Sequence, residues 1–358
     1  MKVLIFTGAF GMGHYSAAQA VKEEILKDKP EATVIIIDMI EYIFPKLSKV
    51  IYDCFNFMVD KFSLIYNCFN KVVAKRTSVP LKKSVTKKID LLLKNNDVDL
   101  VVSTFPACSQ YFSAYKKMRN SNIPLYTYIT DISVNEEWIS EKTDMYFVGS
   151  EITKKSLLCK SVESDKIVIS GIPIRQKFKE EKIIGKIKDK KEVLVIGGGL
   201  GLIPCSLDFL ESLSKDDNVK ITFIAGKNKK LLELIKNQYP NIEAIGYTDK
   251  VDKYMKKADL IISKSGGITL FEALFSETPL YVIRPFLYQE IGNAKYIQDS
   301  CIGKVVWTKG VDIYEDVTSL LNNELLLESM KENILLEKEK LQSASPLNYY
   351  YGGLNACY

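Results

Sequence analysis

Short apolar runs separated by helical patterns recur along the first half of the chain. The runs predict β-strands at residues 3–7, 33–37, 100–102, 125–129, 145–148 and 167–169. After the first run, apolar residues at helical spacing predict a helix over residues 15–27. Strands that alternate with helices are typical of a parallel sheet that is covered on both faces.

The alternation stops after residue 175 and then restarts. Residues 176–191 are rich in Lys and Glu with little apolar period, which indicates a linker. Beyond them, apolar runs predict strands at 193–196, 220–225, 242–245, 260–262 and 280–283, with helices at 231–237, 251–257 and 268–276. Residues 312–342 are predicted to form terminal helices, and 343–358 a poorly ordered tail.

The pattern as a whole predicts an α/β protein with two tandem Rossmann-like domains. The predicted division is a first domain at 1–175, a linker at 176–191, a second domain at 192–342 and a tail at 343–358. In open α/β sheets, ligands bind at the carboxyl edge of the strands. We therefore expect a deep interdomain cleft between two such edges.

Composition narrows the class of protein. The chain has 358 residues, 47% of them hydrophobic and 26% charged, which is ordinary for a soluble globular protein with a sizeable core. Its seven cysteines are scattered and it has one histidine, so a Cys/His zinc site is not expected. No signal peptide and no apolar stretch of the roughly 18 residues needed for a membrane span is evident, so we expect a soluble or peripheral protein. Scattered cysteines without a pairing pattern fit reduced thiols in a cytoplasmic protein.

The glycine-containing stretch 263–272 is the strongest candidate for a ligand site. It follows the apolar run at 260–262 and opens a helical pattern, so Ser265, Gly266 and Gly267 fall at a strand-to-helix turn. Backbone N–H groups and the positive end of a helix at such a turn can hold a phosphate. Glu272, farther along the same helix, is placed to accept hydrogen bonds from a ribose. The alternative is a glycine-rich turn with no ligand.

Two further groups belong to the same predicted edge. The glycines of residues 197–201, among them Gly199, form a second loop compatible with a phosphate. Gln289, Glu290 and Asn293 follow the strand at 280–283 and suit the hydroxyl groups of a sugar. Two phosphate-compatible loops at one edge favour a diphosphate ligand.

His14 is the candidate general base. It is the only histidine, and it follows Gly11 and Gly13 at the first strand-to-helix turn. Imidazole suits proton transfer near neutral pH. Asp131, at the end of the strand predicted at 125–129, is expected at the same edge, where it would orient His14 or bind the acceptor. A purely structural histidine is the alternative.

The first turn also resembles a dinucleotide-binding motif. Its glycines have the spacing G-x-x-G-x-G, and Asp38 ends the next strand, which approximates the fingerprint G-x-G-x-x-G followed by an acid. An NAD-dependent dehydrogenase is therefore a second hypothesis. The different spacing, and His14 where close helix packing prefers a small residue, argue against it.

Positive charge is concentrated in residues 42–94. This segment has eleven Lys or Arg against three acidic residues, although the whole chain has a net charge of only +5. Aromatic residues are interleaved with these cations, a combination that suits an anionic membrane surface. The alternative is a pair of core helices with a solvated Lys face. Nucleic acid is not expected as a partner, because the remainder of the chain is slightly acidic.

Seven ordered motifs resemble those of the monogalactosyldiacylglycerol synthases and the bacterial processive diacylglycerol glucosyltransferases of glycosyltransferase family 28. The resemblance spans residues 2 to about 308. The motifs are Gly-Met-Gly-His-Tyr-Ser-Ala-Ala at 11–18, Ser-Thr-Phe-Pro at 103–106, Ile-Thr-Asp at 129–131, Gly-Ile-Pro-Ile-Arg at 171–175, Gly-Gly-Gly-Leu-Gly at 197–201, Ser-Lys-Ser-Gly-Gly followed by Glu-Ala-Leu at 263–274, and Gln-Glu-x-Gly-Asn at 289–293.

The resemblance implies a GT-B fold and an inverting hexosyltransferase that needs neither a metal nor a cofactor. Its donor would be UDP-glucose or UDP-galactose and its acceptor diacylglycerol. His14 would be the catalytic base, with Asp131 beside it. The implied donor-binding residues are Gly13, Gly199, Gly246, Tyr247, Ser265, Gly266, Gly267, Thr269, Glu272, Gln289, Glu290 and Asn293.

The basic aromatic segment corresponds to the part of the family that docks on membrane and admits lipid. The implied membrane or acceptor residues are Tyr52, Phe55, Phe62, Tyr66, Lys71, Lys75 and Arg76, on a protein peripheral to the inner face of the cell membrane. Two departures from the family pattern leave the hexose and the acceptor open: Asn135 or a neighbour stands where a His is common, and Leu287-Tyr288 replace Pro-Gly. A related UDP-sugar transferase with another acceptor, or a nucleotide-binding protein without turnover, remains an alternative.

Overall fold

The computed structural model describes residues 1–10, 12–61, 81–180, 189–198, 201, 205–342 and 345–355, with only the backbone of 55–61 and 352–355. It divides into two units. The first comprises Met1–Gln176 with Leu341–Tyr358, and the second comprises Lys177–Lys340.

The first unit is built around a sheet of six parallel strands in the order β2-β1-β3-β4-β5-β6. The strands are β1 (Lys2–Thr7), β2 (Thr33–Asp38), β3 (Leu100–Ser103), β4 (Leu125–Tyr128), β5 (Met145–Val148) and β6 (Ile167–Ile169). The helices are α1 (Gly13–Asp28), α2 (Met39–Ile43), α3 (Ser48–Lys61), α4 (Lys82–Lys94), α5 (Pro106–Arg119) and α6 (Glu151–Leu158). The short helix α7 (Gln176–Lys179) begins at Gln176 and lies otherwise in the second unit.

Both faces of this first sheet are covered. Val3 and Ile5 pack in one apolar cluster with α1, whereas Leu4 and Phe6 pack in another with residues of α4 and α5. A strand that is buried on both faces needs apolar residues at consecutive positions, which is why β1 is a continuous apolar run.

The second unit repeats this plan with six parallel strands in the order β12-β11-β10-β7-β8-β9. The strands are β7 (Lys191–Ile196), β8 (Val219–Ile224), β9 (Ile242–Ile245), β10 (Leu260–Ser263), β11 (Leu280–Ile283) and β12 (Gly303–Val306). The helices are α8 (Leu207–Ser214), α9 (Lys229–Gln238), α10 (Val251–Lys257), α11 (Gly267–Phe275), α12 (Tyr288–Asp299), α13 (Ile313–Asn322) and α14 (Glu324–Glu339).

Each sheet has one point at which successive strands are added on opposite sides. In the first sheet this point lies between β1 and β3, and in the second between β7 and β10. Loops that leave two such strands diverge to opposite faces and open a crevice at the carboxyl edge, where ligands of this fold class bind. The predicted α/β class with two parallel sheets is confirmed.

The C-terminal segment differs from the predicted poorly ordered tail. Helix α15 (Pro346–Asn355) belongs to the first unit. Leu347 lies in the same apolar cluster as Val3 and Ile5, and the Tyr349 ring packs edge-on against Phe147 at 5.5 Å between centroids. The predicted domain limits and the linker at 176–191 stay predictions. Within the described parts of the chain, no helix combines the length and the apolar character needed to cross a membrane.

Candidate active site

The first crevice contains His14. The residue lies in the first turn of α1, which follows β1, and Thr104 follows β3 directly. The strand order therefore brings together two loops that are 90 residues apart in the sequence. The hydroxyl of Thr104 also donates to the main-chain oxygen of His14 at 3.0 Å, which joins the two loops a second time.

One nitrogen of the His14 ring is held by two neighbouring residues. Nδ1 lies 2.9 Å from the main-chain oxygen of Thr104 and 3.0 Å from Oγ1 of Thr130. A carbonyl oxygen can only accept, so Nδ1 carries the proton in the neutral ring. The lone pair is then on Nε2, which is the nitrogen that can act as a base.

The surroundings of His14 keep its ring neutral. Burial lowers its pKa to about 4, and the hydrogen bond to Thr104 offsets this only in part. The ring also lies at a helix N-terminus with no acidic residue in the first turn, a position that disfavours positive charge. At neutral pH the imidazole is therefore a proton acceptor.

Aromatic side chains surround this imidazole. The Phe105 ring meets it edge-on at 5.0 Å between centroids, and the Trp138 ring lies 6.2 Å away. Phe10 stacks on Phe105 at 4.9 Å. These rings make part of the surroundings of the imidazole apolar, which suits an acceptor with an apolar body.

Asp38 is engaged by the first unit itself. Its carboxylate accepts hydrogen bonds from the backbone N–H groups of Ala9 (3.2 Å) and Glu41 (3.0 Å) and from the Tyr52 hydroxyl (2.5 Å). It thereby caps α2 and fixes the residues after β1. The ribose contact that the dinucleotide hypothesis requires of Asp38 is not supported.

Asp131 lies where the sequence places it, three residues beyond the end of β4 and half-buried. It directly follows Thr130, which contacts His14. The orientation of His14 is therefore explained by Thr104 and Thr130. A catalytic role for Asp131 stays a prediction.

The second crevice contains the N-terminus of α11. Gly266 is the N-cap residue, its helix has no side-chain cap, and there is no acidic residue in the first turn. The first amides of α11 are therefore available to an anion, together with the positive end of the helix dipole. The sequence predicts a helix start at this place, and phosphate binding by Gly266 and Gly267 stays a prediction.

The turn before α11 is fixed to α12 by side chains that the sequence assigned to the donor. The Ser265 hydroxyl donates to the main-chain oxygen of Glu290 at 2.8 Å, and the Asn293 amide donates to the main-chain oxygen of Ser265 at 2.9 Å. Asn293 is fully buried. These two side chains hold the turn in shape, so a contact of Ser265 with a phosphate is left to its backbone.

Besides Asn293, four predicted donor residues have side chains on the same two helices. Glu272 is buried in α11, and Thr269, one turn earlier, is partly exposed. Gln289 is partly exposed in the first turn of α12. The Glu290 carboxylate accepts from the backbone N–H of Leu287 at 3.4 Å and so caps α12.

The loop after β7 provides the other wall of this crevice. Gly198 has a φ of +70°, and a Cβ added there would meet nothing within 4 Å. Gly201 has a φ of +66°, and its Cβ would lie 2.0 Å from the main-chain oxygen of Ala225, so a side chain is excluded. Gly199 lies outside the described residues.

Gly246 and Tyr247 follow β9 at the same carboxyl edge. The Tyr247 ring is 62% exposed, with Nζ of Lys227 located 5.6 Å from its centroid. An exposed ring beside a cation is available for stacking. Its predicted contact with uracil stays a prediction.

The predicted membrane residues are only partly described. Tyr52 is half-buried in α3, and the side chain of Phe55 is not described. Phe62, Tyr66, Lys71, Lys75 and Arg76 lie outside the described residues. Next to this segment, Lys46, Leu47, Lys49 and Val50 at the start of α3 and Leu81, Lys82, Lys83 and Lys87 at the start of α4 are exposed.

Three residues near the two crevices were missed by the sequence reasoning. Thr104 and Thr130 occur in recognised motifs, but nothing in their local pattern indicates a contact with His14. Lys264 directly precedes Ser265, and its Nζ lies 5.0 Å from the centroid of the Phe286 ring. A cation beside the glycines of a phosphate-binding turn is the signal that could have found it.

Solved structures share this fold. MurG of Acinetobacter baumannii superposes with a TM-score of 0.60 at 14% identity, covering 98% of both chains. The co-structure of S. aureus MnaA with UDP superposes with a TM-score of 0.59 at 15% identity, covering 93% of this chain and 91% of that one. The fold class is GT-B.

Sequence comparisons define the family. Residues 14–174 match the monogalactosyldiacylglycerol (MGDG) synthase model, and residues 192–345 match the glycosyltransferase family 28 C-terminal domain. The processive diacylglycerol beta-glucosyltransferase of Bacillus licheniformis is 32% identical, covering 93% of this chain and 90% of that protein. The protein of the same name from Bacillus subtilis is 29% identical with the same coverage. The chain therefore belongs to glycosyltransferase family 28, with the diacylglycerol glycosyltransferases.

Proposed function

We propose that the protein transfers a hexose from a UDP-sugar to diacylglycerol, with inversion at the anomeric carbon and without a metal ion. The observation that carries this proposal is that a processive diacylglycerol beta-glucosyltransferase is 32% identical over 93% of the chain, and that residues 14–174 match the MGDG synthase model. UDP-glucose is the proposed donor, because the curated relatives are named glucosyltransferases.

His14 is proposed as the base. The acceptor hydroxyl gives its proton to Nε2 while its oxygen forms a bond with the anomeric carbon of the sugar. The bond between that carbon and the diphosphate breaks, and UDP leaves with the electron pair. Support for this role comes from the Nδ1 partners Thr104 and Thr130, which leave Nε2 as the basic nitrogen.

Donor binding is proposed for the second unit. The first amides of α11, at Gly266 and Gly267, would hold the diphosphate and stabilise the charge that develops on the leaving group. Fixed N–H dipoles do this without reorganisation, and such stabilisation accounts for much of the rate enhancement in many enzymes. Ser265 and Thr269 would support the same phosphates, and Glu272 would accept hydrogen bonds from the ribose.

The remaining donor contacts follow the strand ends. Gly246 and Tyr247 would lie against uracil, and Gln289 with Glu290 would bind the hexose. Asn293 would act indirectly, since its amide holds the turn at Ser265. Gly13 and Gly199 stay proposed donor residues of the two glycine-rich loops, and Asp131 a proposed partner of the acceptor.

An anionic membrane surface is the proposed location of the reaction, at the inner face of the cell membrane. Support comes from the charge of residues 42–94 and from the exposed lysines at the starts of α3 and α4, which have Leu47, Val50 and Leu81 exposed beside them. Each cation near anionic headgroups contributes about 1 kcal/mol. Phe55, Phe62, Tyr66, Lys71, Lys75 and Arg76 are the residues proposed for this contact, and Tyr52 lies at the start of the same segment.

The test measures UDP release in the presence of diacylglycerol vesicles. The purified protein receives UDP-glucose or UDP-galactose, with neutral or anionic vesicles that contain or lack diacylglycerol. We expect release of UDP from UDP-glucose that depends on diacylglycerol and is faster on anionic vesicles. Tight UDP binding with no release under any condition would indicate a nucleotide-binding protein without turnover. Release that does not depend on diacylglycerol would indicate another acceptor.

A further inference from the structure

The Tyr52 hydroxyl joins three separate segments of the first unit. It lies 2.5 and 2.6 Å from the two carboxylate oxygens of Asp38, at the end of β2. It also accepts a hydrogen bond of 3.1 Å from the backbone N–H of Ala9, which follows β1. Tyr52 itself is in α3, so one hydroxyl fixes the start of the basic aromatic segment to the loop that leads to His14.

An aromatic path continues from Tyr52 to the imidazole. Phe10 meets Tyr52 edge-on at 4.9 Å between centroids and stacks on Phe105 at 4.9 Å. Phe105 meets the His14 ring edge-on at 5.0 Å. The four rings are in contact one after another, so a displacement of Phe10 changes the packing against His14.

We propose that Tyr52 is a positioning residue for His14, acting through Ala9 and Phe10. This inference rests on the proposed function, because it assigns a partner to the same catalytic base. By holding the Ala9 amide, the hydroxyl keeps Phe10 against Phe105. Phe105 in turn packs edge-on against the imidazole and shields that side of the ring from water.

The hydroxyl can do this over the whole working range of pH. Burial and the hydrogen bond to Asp38 raise the pKa of Tyr52 well above its ordinary value, so it remains a donor. The family resemblance assigns Tyr52 to the membrane surface, whereas its polar atom is engaged inside the unit. A residue that only contacted lipid would not need that atom.

Tyr42 provides a matched control in the same segment. Its hydroxyl donates to the main-chain oxygen of Lys88 at 3.1 Å, so it ties α2 to α4 without contacting the loop that precedes His14. Tyr42→Phe and Tyr52→Phe each remove one hydrogen-bonded hydroxyl and leave the ring in place. A difference in kcat between the two variants therefore measures the effect of the contact with the loop that precedes His14.

The first measurement is steady-state UDP release with saturating diacylglycerol vesicles. We expect Tyr52→Phe to lower kcat about 10-fold with little change in the KM for UDP-hexose, because a small displacement of a catalytic group has a large effect on the rate. Tyr42→Phe should keep the kcat of the unmodified protein. Reduced vesicle binding by Tyr52→Phe with unchanged kcat would overturn the proposal in favour of a membrane contact.

The second measurement observes the His14 ring directly by NMR and does not depend on turnover. His14 is the only histidine of the chain, so a protein labelled with ¹³C-histidine and prepared without a histidine tag gives one imidazole signal. Burial, rather than a neighbouring charge, lowers the pKa of this ring. If Tyr52→Phe lets water reach the ring, the signal shifts and its titration midpoint moves from about 4 towards the ordinary 6.5.

The two measurements separate this inference from the proposed function. Phe10→Leu, which keeps the hydroxyl and removes the ring contacts, should shift the His14 signal in the same direction. An unmoved His14 signal in both Tyr52→Phe and Phe10→Leu would overturn the inference, whatever the activity. If the protein shows no transfer but the His14 signal shifts in these variants, the inference about the position of His14 stands and the proposed function fails.

Discussion

The main-chain oxygen of Thr104 lies 2.9 Å from Nδ1 of His14 and accepts its hydrogen bond. Because this acceptor belongs to the backbone, no side-chain substitution at residue 104 removes it. The bond determines which nitrogen of the ring holds the proton, and it depends on β1 and β3 being neighbours in the sheet. The sheet topology of the first unit thus sets the tautomer of the proposed base.

The Thr130 hydroxyl should contribute to the rate without contributing to donor binding. Thr130→Val keeps the shape of this buried side chain and removes the second contact of Nδ1. A hydrogen bond of about 1 kcal/mol corresponds to a fall in kcat of about fivefold. The KM for UDP-hexose should stay constant, as measured by UDP release at several donor concentrations.

Thr127→Val is the control for loss of a buried hydroxyl in the same sheet. Thr127 contacts Ser109 at 3.0 Å and Thr143 at 3.4 Å, away from His14. It should lower the thermal stability without a matching loss of kcat. Equal losses of kcat in the two variants would mean that Thr130 acts only through stability.

The low pKa of His14 predicts that the activity does not decline when the pH falls moderately below neutrality. A base must be neutral to accept a proton, and a pKa of about 4 keeps His14 neutral throughout the range from about pH 5.5 to 7.5. With the ordinary pKa near 6.5, about tenfold of the activity would be lost at about pH 5.5. We therefore expect kcat to be nearly constant over that range.

The measurement is a pH profile of kcat with UDP binding followed over the same range. Constant UDP binding would show that the donor site does not titrate there. A decline in kcat with a midpoint near 6.5 would contradict either the burial of the ring or its role as base.

Glu272 should recognise the ribose of UDP. In the unmodified protein, UDP should bind more tightly than its 2′,3′-dideoxy analogue, because a buried carboxylate loses hydrogen bonds when the hydroxyls are absent. In Glu272→Gln this preference should become smaller, because only one of the two acceptor oxygens remains, as measured by isothermal titration calorimetry. Glu277→Gln, which removes a carboxylate paired with Lys338 just beyond α11, should retain the preference. Loss of the preference in both variants would assign the effect to the stability of the helix.

Transfer should not require a divalent cation. The first amides of α11 are proposed to stabilise the diphosphate, so UDP release should be unchanged after dialysis against EDTA. Activity that disappears with EDTA and returns with Mn²⁺ would show that helix amides are insufficient for the leaving group.

Much of the fold follows from the sequence because both sheets are buried on both faces. Such strands are continuous apolar runs, and eleven of the twelve were predicted at or near their observed positions. The strand missed was β12 (Gly303–Val306), an edge strand in which Gly303 and Lys304 interrupt the apolar pattern. The helix α15 was missed because the segment with consecutive tyrosines was expected to be a poorly ordered tail. In the structure, Tyr349 of this helix packs against Phe147.

The candidate site was predictable only where the signal is local. His14 and Gly266 each lie at a glycine-containing strand-to-helix turn, which is visible in the sequence. Thr104 and Thr130 lie 90 and 116 residues from His14, and only the strand order brings them to the ring. The contact of Tyr52 with Asp38 was missed because the sequence suggested another role for each residue, a membrane contact for Tyr52 and a dinucleotide motif for Asp38.

The most direct test of the proposed mechanism is His14→Ala, with transfer and UDP binding measured on the same preparation. General-base catalysis contributes about 10²- to 10⁴-fold, so transfer to diacylglycerol should fall by at least the lower value. UDP binding should be unchanged, because the proposed UDP-binding residues lie in the second unit apart from Gly13. Transfer at the rate of the unmodified protein would contradict the assignment of His14 as the base.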